Sequence, residues 1–233
     1  MKAASELTLA EQLYLLAYDP AADEGTYLSG TEDAMVRVCL AGALLIELFE
    51  RELIYERPDG IVAVVERPGE LPSLLEDAMT AIPALLGGAE AWVYGLKSEL
   101  KPIEKTVARS LVKRGVLAEE RGKVLGLFPW TRFPTLDPAP RSELLERVHA
   151  VLLSTPRPDP TGPGMIQTRP RDPSEDEARL ITLLELLALD MIELLVPRDR
   201  RKQARRRARQ LPTGLRSAQG RVYRVLVEAN QIP

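Results

Sequence analysis

The hydrophobic and polar positions of the chain are organised around one apolar stretch. Residues Val38 to Ile46 are all apolar or small, and the polar residues Arg37 and Glu47 border them. A run of this length is too short to cross a bilayer, which takes about 20 apolar residues. The pattern predicts instead a helix that follows an N-cap at Thr31, is buried on most of its circumference, and is surrounded by the other elements.

Apolar positions at helical spacing predict further helices on both sides of this central helix. Thr8 and Glu11 fit a capping box, so the first helix is expected to begin at Leu9. The remaining predicted helices span Ser73 to Leu86, Ala89 to Leu100, Pro102 to Arg114, Arg141 to Leu153, Glu175 to Val196, Arg198 to Gln210 and Leu215 to Asn230.

Two pairs of short apolar runs predict β-hairpins. The first hairpin covers Leu53 to Val65, with Pro58-Asp59-Gly60 at its turn. The second covers Val116 to Phe128, with its turn near Arg121 and Gly122.

Length and composition indicate one domain over residues 1–233. A hydrophobic share of 45% and a charged share of 28% are typical of a soluble globular protein. Residues 154–173 are rich in Pro and Gly and predict an exposed loop within this domain. The predicted fold is therefore mainly α: a single globular multi-helix domain around a buried central helix, with two small β-hairpins.

Cysteine usage and the N-terminal sequence predict a cytoplasmic location. Cys39 is the single cysteine, which excludes an internal disulfide and a zinc cluster built on cysteines. The first residues lack the apolar segment of a signal peptide. Arginine in excess over lysine, with abundant Ala, Leu and Pro, suggests a GC-rich, bacterial genome.

The net charge of −3 conceals a basic end on an acidic body. From Pro197 onward, eleven Arg and Lys residues stand against two acids, about +9, which leaves about −12 for the rest. A cationic segment at 198–210 attracts phosphate, on lipids or on nucleic acid. Alternatively, its charges pair with the acidic body, while Ala204, Ala208 and Leu211 form a narrow docking stripe. The predicted basic surface comprises Arg200, Arg201, Lys202, Arg205, Arg206, Arg207 and Arg209.

The helix and hairpin at residues 101–128 suggest a second, nucleic-acid interpretation. A helix followed by a hairpin resembles the recognition helix and wing of a winged helix. One face of this helix would offer cations to phosphates: Lys101, Lys105, Arg109, Lys113 and Arg114.

Catalytic chemistry has little support in the sequence. His149, the single histidine, lies in a predicted amphipathic helix without an evident nucleophile or acid partner. No phosphate-binding glycine motif is present. We therefore predict a protein that is not an enzyme and that holds no metal or cofactor.

Four segments of the chain resemble the Golgi phosphoprotein 3 family, and they occur in the family's order. They are Leu7 to Asp19 (LTLAEQLYLLAYD), Leu40 to Ile54 (LAGALLIELFERELI), Lys101 to Pro134, with its GVL turn and hairpin, and the apolar segment Glu175 to Val196. The resemblance implies a largely α-helical domain with small hairpins. Eukaryotic members of that family bind phosphatidylinositol 4-phosphate on Golgi membranes and help to retain glycosyltransferases.

The resemblance also implies positions for a lipid headgroup pocket and for self-association. The pocket of that family uses a tryptophan and three arginines, whose positions fall here at Glu32, Ala41, Lys101 and Glu104. Only Lys101 keeps the charge type, so the predicted anion-binding residues are Lys101 with Arg37 and Lys97 as substitutes. Family members are thought to oligomerise through the hairpin, here at Glu120, Arg121 and Gly122.

These observations together predict a non-enzymatic, peripheral membrane adaptor. Its expected partner is an anionic phospholipid surface at the cytosolic face of a membrane, and a second copy and protein clients are further expected partners. Two alternatives stay open: a nucleic-acid-binding or regulatory protein that uses the same charges, and a scaffold that binds only proteins.

Overall fold

The computed structural model describes residues 7–18, 33–65, 70–82, 87–124, 128–153, 157–158, 168–169, 174, 180–181, 195–208 and 217–229. The helices in this part of the chain are α1 (Leu9–Ala17), α2 (Asp33–Glu50), α3 (Ser73–Ala81), α4 (Ala89–Glu99), α5 (Ile103–Lys113), α6 (Ala139–Leu152), α7 (Arg201–Ala208) and α8 (Ser217–Ala229). A short 3-10 helix, Arg198–Arg200, leads into α7. The mainly α-helical prediction is confirmed.

The strands pair only in twos within the described ranges. They are β1 (Ile54–Glu56) with β2 (Val62–Val64), β3 (Glu120–Val124) with β4 (Phe128–Arg132), and β5 (Arg157–Pro158) with β6 (Thr168–Arg169). Each pair is antiparallel. The predicted exposed loop at 154–173 otherwise lies outside the described residues.

Helix α2 is the centre of the fold, as its apolar run predicts. Every residue from Val38 to Leu48 is buried, and α1, α3, α4, α5, α8 and β1 all pack against α2. Gly42 lets α8 approach closely, because a Cβ atom at this position would lie 2.6 Å from Cδ1 of Leu226. Arg221 of α8 also forms an ion pair with Glu56 of β1. The proposed N-cap of α2, Thr31, lies outside the described residues.

The start of α1 confirms the predicted capping box. The backbone N–H of Glu11 donates to Oγ1 of Thr8 at 3.2 Å, and the backbone N–H of Thr8 donates to Oε2 of Glu11 at 2.8 Å. These two bonds satisfy backbone donors that the first turn of a helix leaves without partners.

The first hairpin is confirmed, whereas the predicted turn of the second is wrong. In the first, Tyr55 pairs with Ala63, and the turn before β2 contains Gly60 with φ of +79°. In the second, Arg121 and Gly122 lie inside β3, and the pairing of the two strands extends beyond them to Val124 and Phe128. Gly122 is not a turn residue but faces Trp130, where an added Cβ would lie 2.5 Å from the indole ring. Its lack of a side chain makes room for the ring.

The C-terminal part of the chain is described in separate pieces. Of the predicted helix from Glu175 to Val196, only residues 180–181 and 195–196 are described, and these four apolar residues are buried. The predicted basic helix begins at Arg201, after the 3-10 turn, and packs against α6. Ala204 and Ala208 are buried there, which confirms part of the predicted docking stripe. Arg209, Gln210 and Leu211 lie outside the described residues.

Candidate anion-binding surfaces

Helix α7 carries two kinds of cation, exposed ones and partly buried ones. The packing of α7 against α6 decides which cations are exposed. Lys202 and Arg206 lie one turn apart and are exposed, and Arg198 is exposed about one turn earlier. At 1.5 Å of rise per residue, Lys202 and Arg206 are about 6 Å apart along the axis of α7. Within the described part of the chain, none of the three side chains forms an ion pair or hydrogen bond. We call Arg198, Lys202 and Arg206 the basic stripe.

The other cations of this segment are engaged within the fold. Arg201, Arg205 and Arg207 are only partly exposed, and each interacts with other groups of the chain. Arg200 lies 3.5 Å from a carboxylate oxygen of Asp199 and donates to the side chain of Gln203 at 3.3 Å. Of the predicted basic surface, only Lys202 and Arg206 belong to the basic stripe, which Arg198 extends. The other described members of that surface interact with groups of the chain.

The second candidate surface lies where α2 meets the start of α5. Nε of Arg37 is 3.2 Å from Oε2 of Glu104, so the two helices are joined by an ion pair. Lys97 lies over the ring of Tyr94, with Nζ 4.9 Å from the ring centroid. Lys101 is exposed between α4 and α5. Of the three cations predicted to bind an anion, Arg37 and Lys97 are thus engaged within the protein.

The two surfaces belong to different layers of the helix packing. Helix α7 packs on α6, α6 packs on α1, and α1 packs on both α2 and α5. The basic stripe is therefore carried by a segment that packs on α6, whereas the Arg37–Glu104 pair joins α2 to α5.

The cations of α5 that the nucleic-acid interpretation needs are partly used in the fold. Arg109 lies 3.3 Å from Glu119, and Arg114 lies 2.8 Å from the buried carboxylate of Glu11. The hydrogen bond from Arg121 is the largest effect on Glu119 and holds the pKa of this carboxyl below its ordinary value, burial opposes it, and the hydrogen bond from Arg109 adds a smaller lowering effect. Lys113 donates to the hydroxyl of Ser73 at 3.4 Å. Only Lys101 and Lys105 of the predicted row remain without such a contact in the described part of the chain.

A comparison of the sequence with protein-family models shows which family the chain belongs to. The sequence model of the Golgi phosphoprotein 3 (GPP34) family matches residues 9–229, which is nearly the whole chain. The chain belongs to this family. No curated protein matches the sequence significantly. In the described part of the chain, no helix is long and apolar enough to cross a membrane.

The structure describes three of the four positions that the resemblance implies for a headgroup pocket. Ala41 is fully buried in α2, so its methyl group belongs to the core. Glu104, an acid, lies where the family has an arginine. It pairs with Arg37, which lies one helical turn before Ala41 in α2. The position at Glu32 lies outside the described residues. The sequence could not show the pairing of Arg37 with Glu104, because the two residues are far apart in the chain.

The hairpin of this family member is held by contacts across its two strands. Arg132 donates from Nε to Glu120 at 2.6 Å, and its guanidinium lies 5.2 Å from the centroid of the Trp130 ring. The ring covers Gly122 on the opposite strand. The residues predicted for self-association, Glu120, Arg121 and Gly122, therefore lie along β3 and not at the tip.

His149 and Cys39, whose side chains can take part in chemistry in other proteins, have structural environments here. The Nε2 atom of His149 is 2.6 Å from the carbonyl oxygen of Leu195, a geometry in which Nε2–H donates and α6 is tied to the segment before α7. Burial raises the pKa of the Cys39 thiol to about 12, so the reactive thiolate is scarce at neutral pH. Among the described residues, no three His, Cys, Asp or Glu side chains are grouped so that they could hold a metal ion.

Proposed function

We propose that this protein is a non-enzymatic peripheral membrane adaptor that binds an anionic phospholipid surface through the basic stripe. The observation that carries the proposal is the arrangement of Arg198, Lys202 and Arg206. These three cations are exposed and have no partner in the described part of the chain, and they belong to a segment whose alanines dock it to the body.

The charge of the stripe contributes one part of the free energy of a reversible attachment to an anionic membrane. Each cation near an anionic membrane contributes about 1 kcal/mol, so the three together contribute about 3 kcal/mol. That energy corresponds to an affinity change of about a hundredfold. Salt reduces it, because exposed charges are screened over about 10 Å at 0.1 M ionic strength. Lys101 adds a further exposed cation on the second surface.

Membership of the Golgi phosphoprotein 3 family supports the adaptor role. The resemblance makes phosphatidylinositol 4-phosphate one lipid to test, and it makes a second copy of the chain and membrane-bound client proteins the partners to seek. The proposed place of action is the cytosolic face of a membrane.

Two variants with the same change of charge test the role of the stripe. The stripe variant carries Arg198→Gln, Lys202→Gln and Arg206→Gln. The control variant carries Gln in place of the three partly exposed arginines of α7, Arg201, Arg205 and Arg207. Binding is measured by flotation with vesicles that contain phosphatidylglycerol.

We expect the stripe variant to lose most of its vesicle affinity, about tenfold or more, and to keep its melting temperature. The control variant should melt at a lower temperature and keep more of its affinity, because its arginines contact other groups of the chain. If the two variants lose vesicle affinity equally, the stripe has no special role, and this proposal for α7 is wrong.

Nucleic-acid binding is the second candidate, because the stripe would attract any phosphate polymer. The engagement of Arg109 and Arg114 within the fold counts against the helix-and-wing version of this candidate. Titration of both variants with duplex DNA separates the candidates. Loss of DNA affinity with a reduced salt slope, and no vesicle binding by the unmodified protein, would favour nucleic acid. Binding to neither would favour the scaffold that binds only proteins.

A further inference from the structure

His149, the single histidine of the chain, forms a hydrogen bond with the segment that leads into the basic stripe. Its Nε2 atom lies 2.6 Å from the carbonyl oxygen of Leu195, which is 46 positions further along the chain. A carbonyl oxygen can only accept a hydrogen bond, so Nε2 carries the proton, in the neutral ring as in the charged one. Helix α6 therefore donates one defined bond to the backbone that precedes the 3-10 helix.

The chain between this bond and the first cation of the stripe is short and restricted. Val196 is buried, and Pro197 has a φ of −52°, which its ring fixes. The backbone N–H of Arg200 donates to the carbonyl oxygen of Pro197 at 2.9 Å, which closes the 3-10 turn. Arg198 lies within that turn, so the place where Leu195 is held on α6 determines where the stripe begins.

The apolar docking of α7 itself is small. Within α7, Ala204 and Ala208 are the buried residues, and methyl groups bury little apolar surface. One hydrogen bond shifts an equilibrium by about fivefold, which matters most where the apolar contact is small. If the segment opened, its cations would remain, but they would have to be ordered again on a membrane, which weakens binding.

We propose that His149 is a positioning residue, whose Nε2–H holds the segment from Leu195 to Arg198 on α6 and thereby presents the basic stripe as one ordered row. His149 acts through the carbonyl group of Leu195 and not by contact with a lipid. The holding of the segment depends on no ligand, whereas its effect on vesicle affinity rests on the proposed membrane function.

Three substitutions of the histidine test the role of the donor. His149→Phe keeps a ring but has no N–H, and His149→Asn has an amide that is too short to reach the position of Nε2. His149→Gln is the conservative variant, because its amide nitrogen lies about as far from the backbone as Nε2 does. The bond should therefore be lost in the first two variants and restored in the third.

The first measurement is cleavage of the folded protein by trypsin, which needs no membrane. Such cleavage tracks the population of the locally opened form. Cleavage after Arg200 and Lys202 should become about fivefold faster in His149→Asn and His149→Phe, and should stay within about twofold of the unmodified rate in His149→Gln.

Cleavage after Lys113, an exposed residue of α5, is the internal control, because it reports opening elsewhere in the fold. We expect its rate to be the same in all four proteins. Equal acceleration after Lys113 and after Lys202 would mean a general loss of stability and would overturn the inference. Unchanged cleavage at both places in His149→Asn and His149→Phe would overturn it as well.

The second measurement is flotation with vesicles that contain phosphatidylglycerol. The affinity should fall about threefold in His149→Asn and His149→Phe and be kept in His149→Gln, because only the first two must order the stripe on the membrane. An affinity that is unchanged or raised when the segment opens overturns the positioning role. If the unmodified protein binds no vesicle, the proposed membrane function fails, while the cleavage rates still decide whether His149 holds the segment.

A spectroscopic signature checks the bond directly. Because the chain has a single histidine, its ring nitrogens give one set of signals in a long-range proton–nitrogen NMR spectrum. We expect the neutral ring to be protonated at Nε2 in the unmodified protein. A neutral ring that is protonated at Nδ1 could not donate to Leu195 from Nε2 and would overturn the inference.

Discussion

Arg114, at the end of α5, donates from Nε to the buried Oε1 of Glu11 at 2.8 Å and thereby ties α5 to α1. The same carboxylate group accepts bonds from the hydroxyl of Ser110 at 2.6 Å and from the backbone and hydroxyl of Thr8 at 2.8 and 3.0 Å. One side chain therefore caps α1 and also joins two helices. The sequence predicts only the first of these roles.

The first prediction concerns this buried carboxylate. Glu11→Ala leaves the guanidinium of Arg114, whose side chain is only 14% exposed, without its acid. Removing one partner of a buried ion pair costs about 3–5 kcal/mol. For a chain of this size we expect the melting temperature to fall by about 10 °C, measured by thermal unfolding followed by circular dichroism.

Glu76→Ala is the matched control for this variant. Glu76 lies in the first turn of α3, is exposed, and its side chain forms no ion pair in the described part of the chain. Its replacement should change the melting temperature by no more than about 2 °C. Equal losses in both variants would show that Glu11 does not hold α1 to α5.

The second prediction is a pH dependence that arises from Glu47. Burial raises the pKa of Glu47 above its ordinary value of 4.5, although hydrogen bonds from the backbone of Leu9 and from Arg51 act in the opposite direction. A raised pKa means that the folded state holds the proton more tightly than the unfolded state. The resulting stabilisation is fully present below the unfolded pKa and is lost as the pH rises through the folded pKa.

The measurement is urea unfolding of the unmodified protein and of Glu47→Gln at several pH values that begin at the ordinary pKa of 4.5 and rise from there. We expect the stability of the unmodified protein, relative to Glu47→Gln, to decrease as the pH rises through this range. A difference that stays constant, or that grows with pH, would contradict the assignment.

The third prediction concerns self-association through the hairpin of β3 and β4. Each strand of this pair has an edge that is not paired within the hairpin, and such edges can pair with another copy of the chain. Glu120 and Arg132 are directly opposite partners, so a two-residue Gly-Ser linker between Glu119 and Phe133 can replace the hairpin with little strain.

If the hairpin joins copies of the chain, the replacement lowers the mass measured by light scattering to that of a monomer. The control is Arg121→Ala, which removes a side chain that bonds to Glu119 but keeps both strands. An oligomer that survives the replacement of the hairpin would place the contact between copies elsewhere.

The sequence predicts those parts of the fold whose signal lies in the same short segment as the element itself. The central helix follows from the run Val38 to Ile46, the start of α1 from a capping box, and the first hairpin from Pro58-Asp59-Gly60. Each signal lies within the element that it specifies, so no knowledge of the packing is needed.

The parts that could not be predicted depend on contacts between distant segments. Gly122 resembles a turn residue until Trp130 is seen to lie across it. The cations of α7 resemble one another in the sequence, and only the docking of Ala204 and Ala208 shows which of them are exposed. In the same way, the local sequence around Arg37 identifies a cation, but only the fold places Glu104 beside it.

The most direct test of the proposed membrane function is the binding of the unmodified protein to vesicles as the salt concentration is varied. Vesicles of phosphatidylcholine alone are compared with vesicles in which about a third of the lipid is phosphatidylglycerol. We predict binding to the anionic vesicles at low salt, a steady loss of affinity as salt screens the basic stripe, and no binding to the neutral vesicles. Absence of binding to anionic vesicles at low salt, or equal binding to both kinds, would contradict the membrane function proposed for this protein.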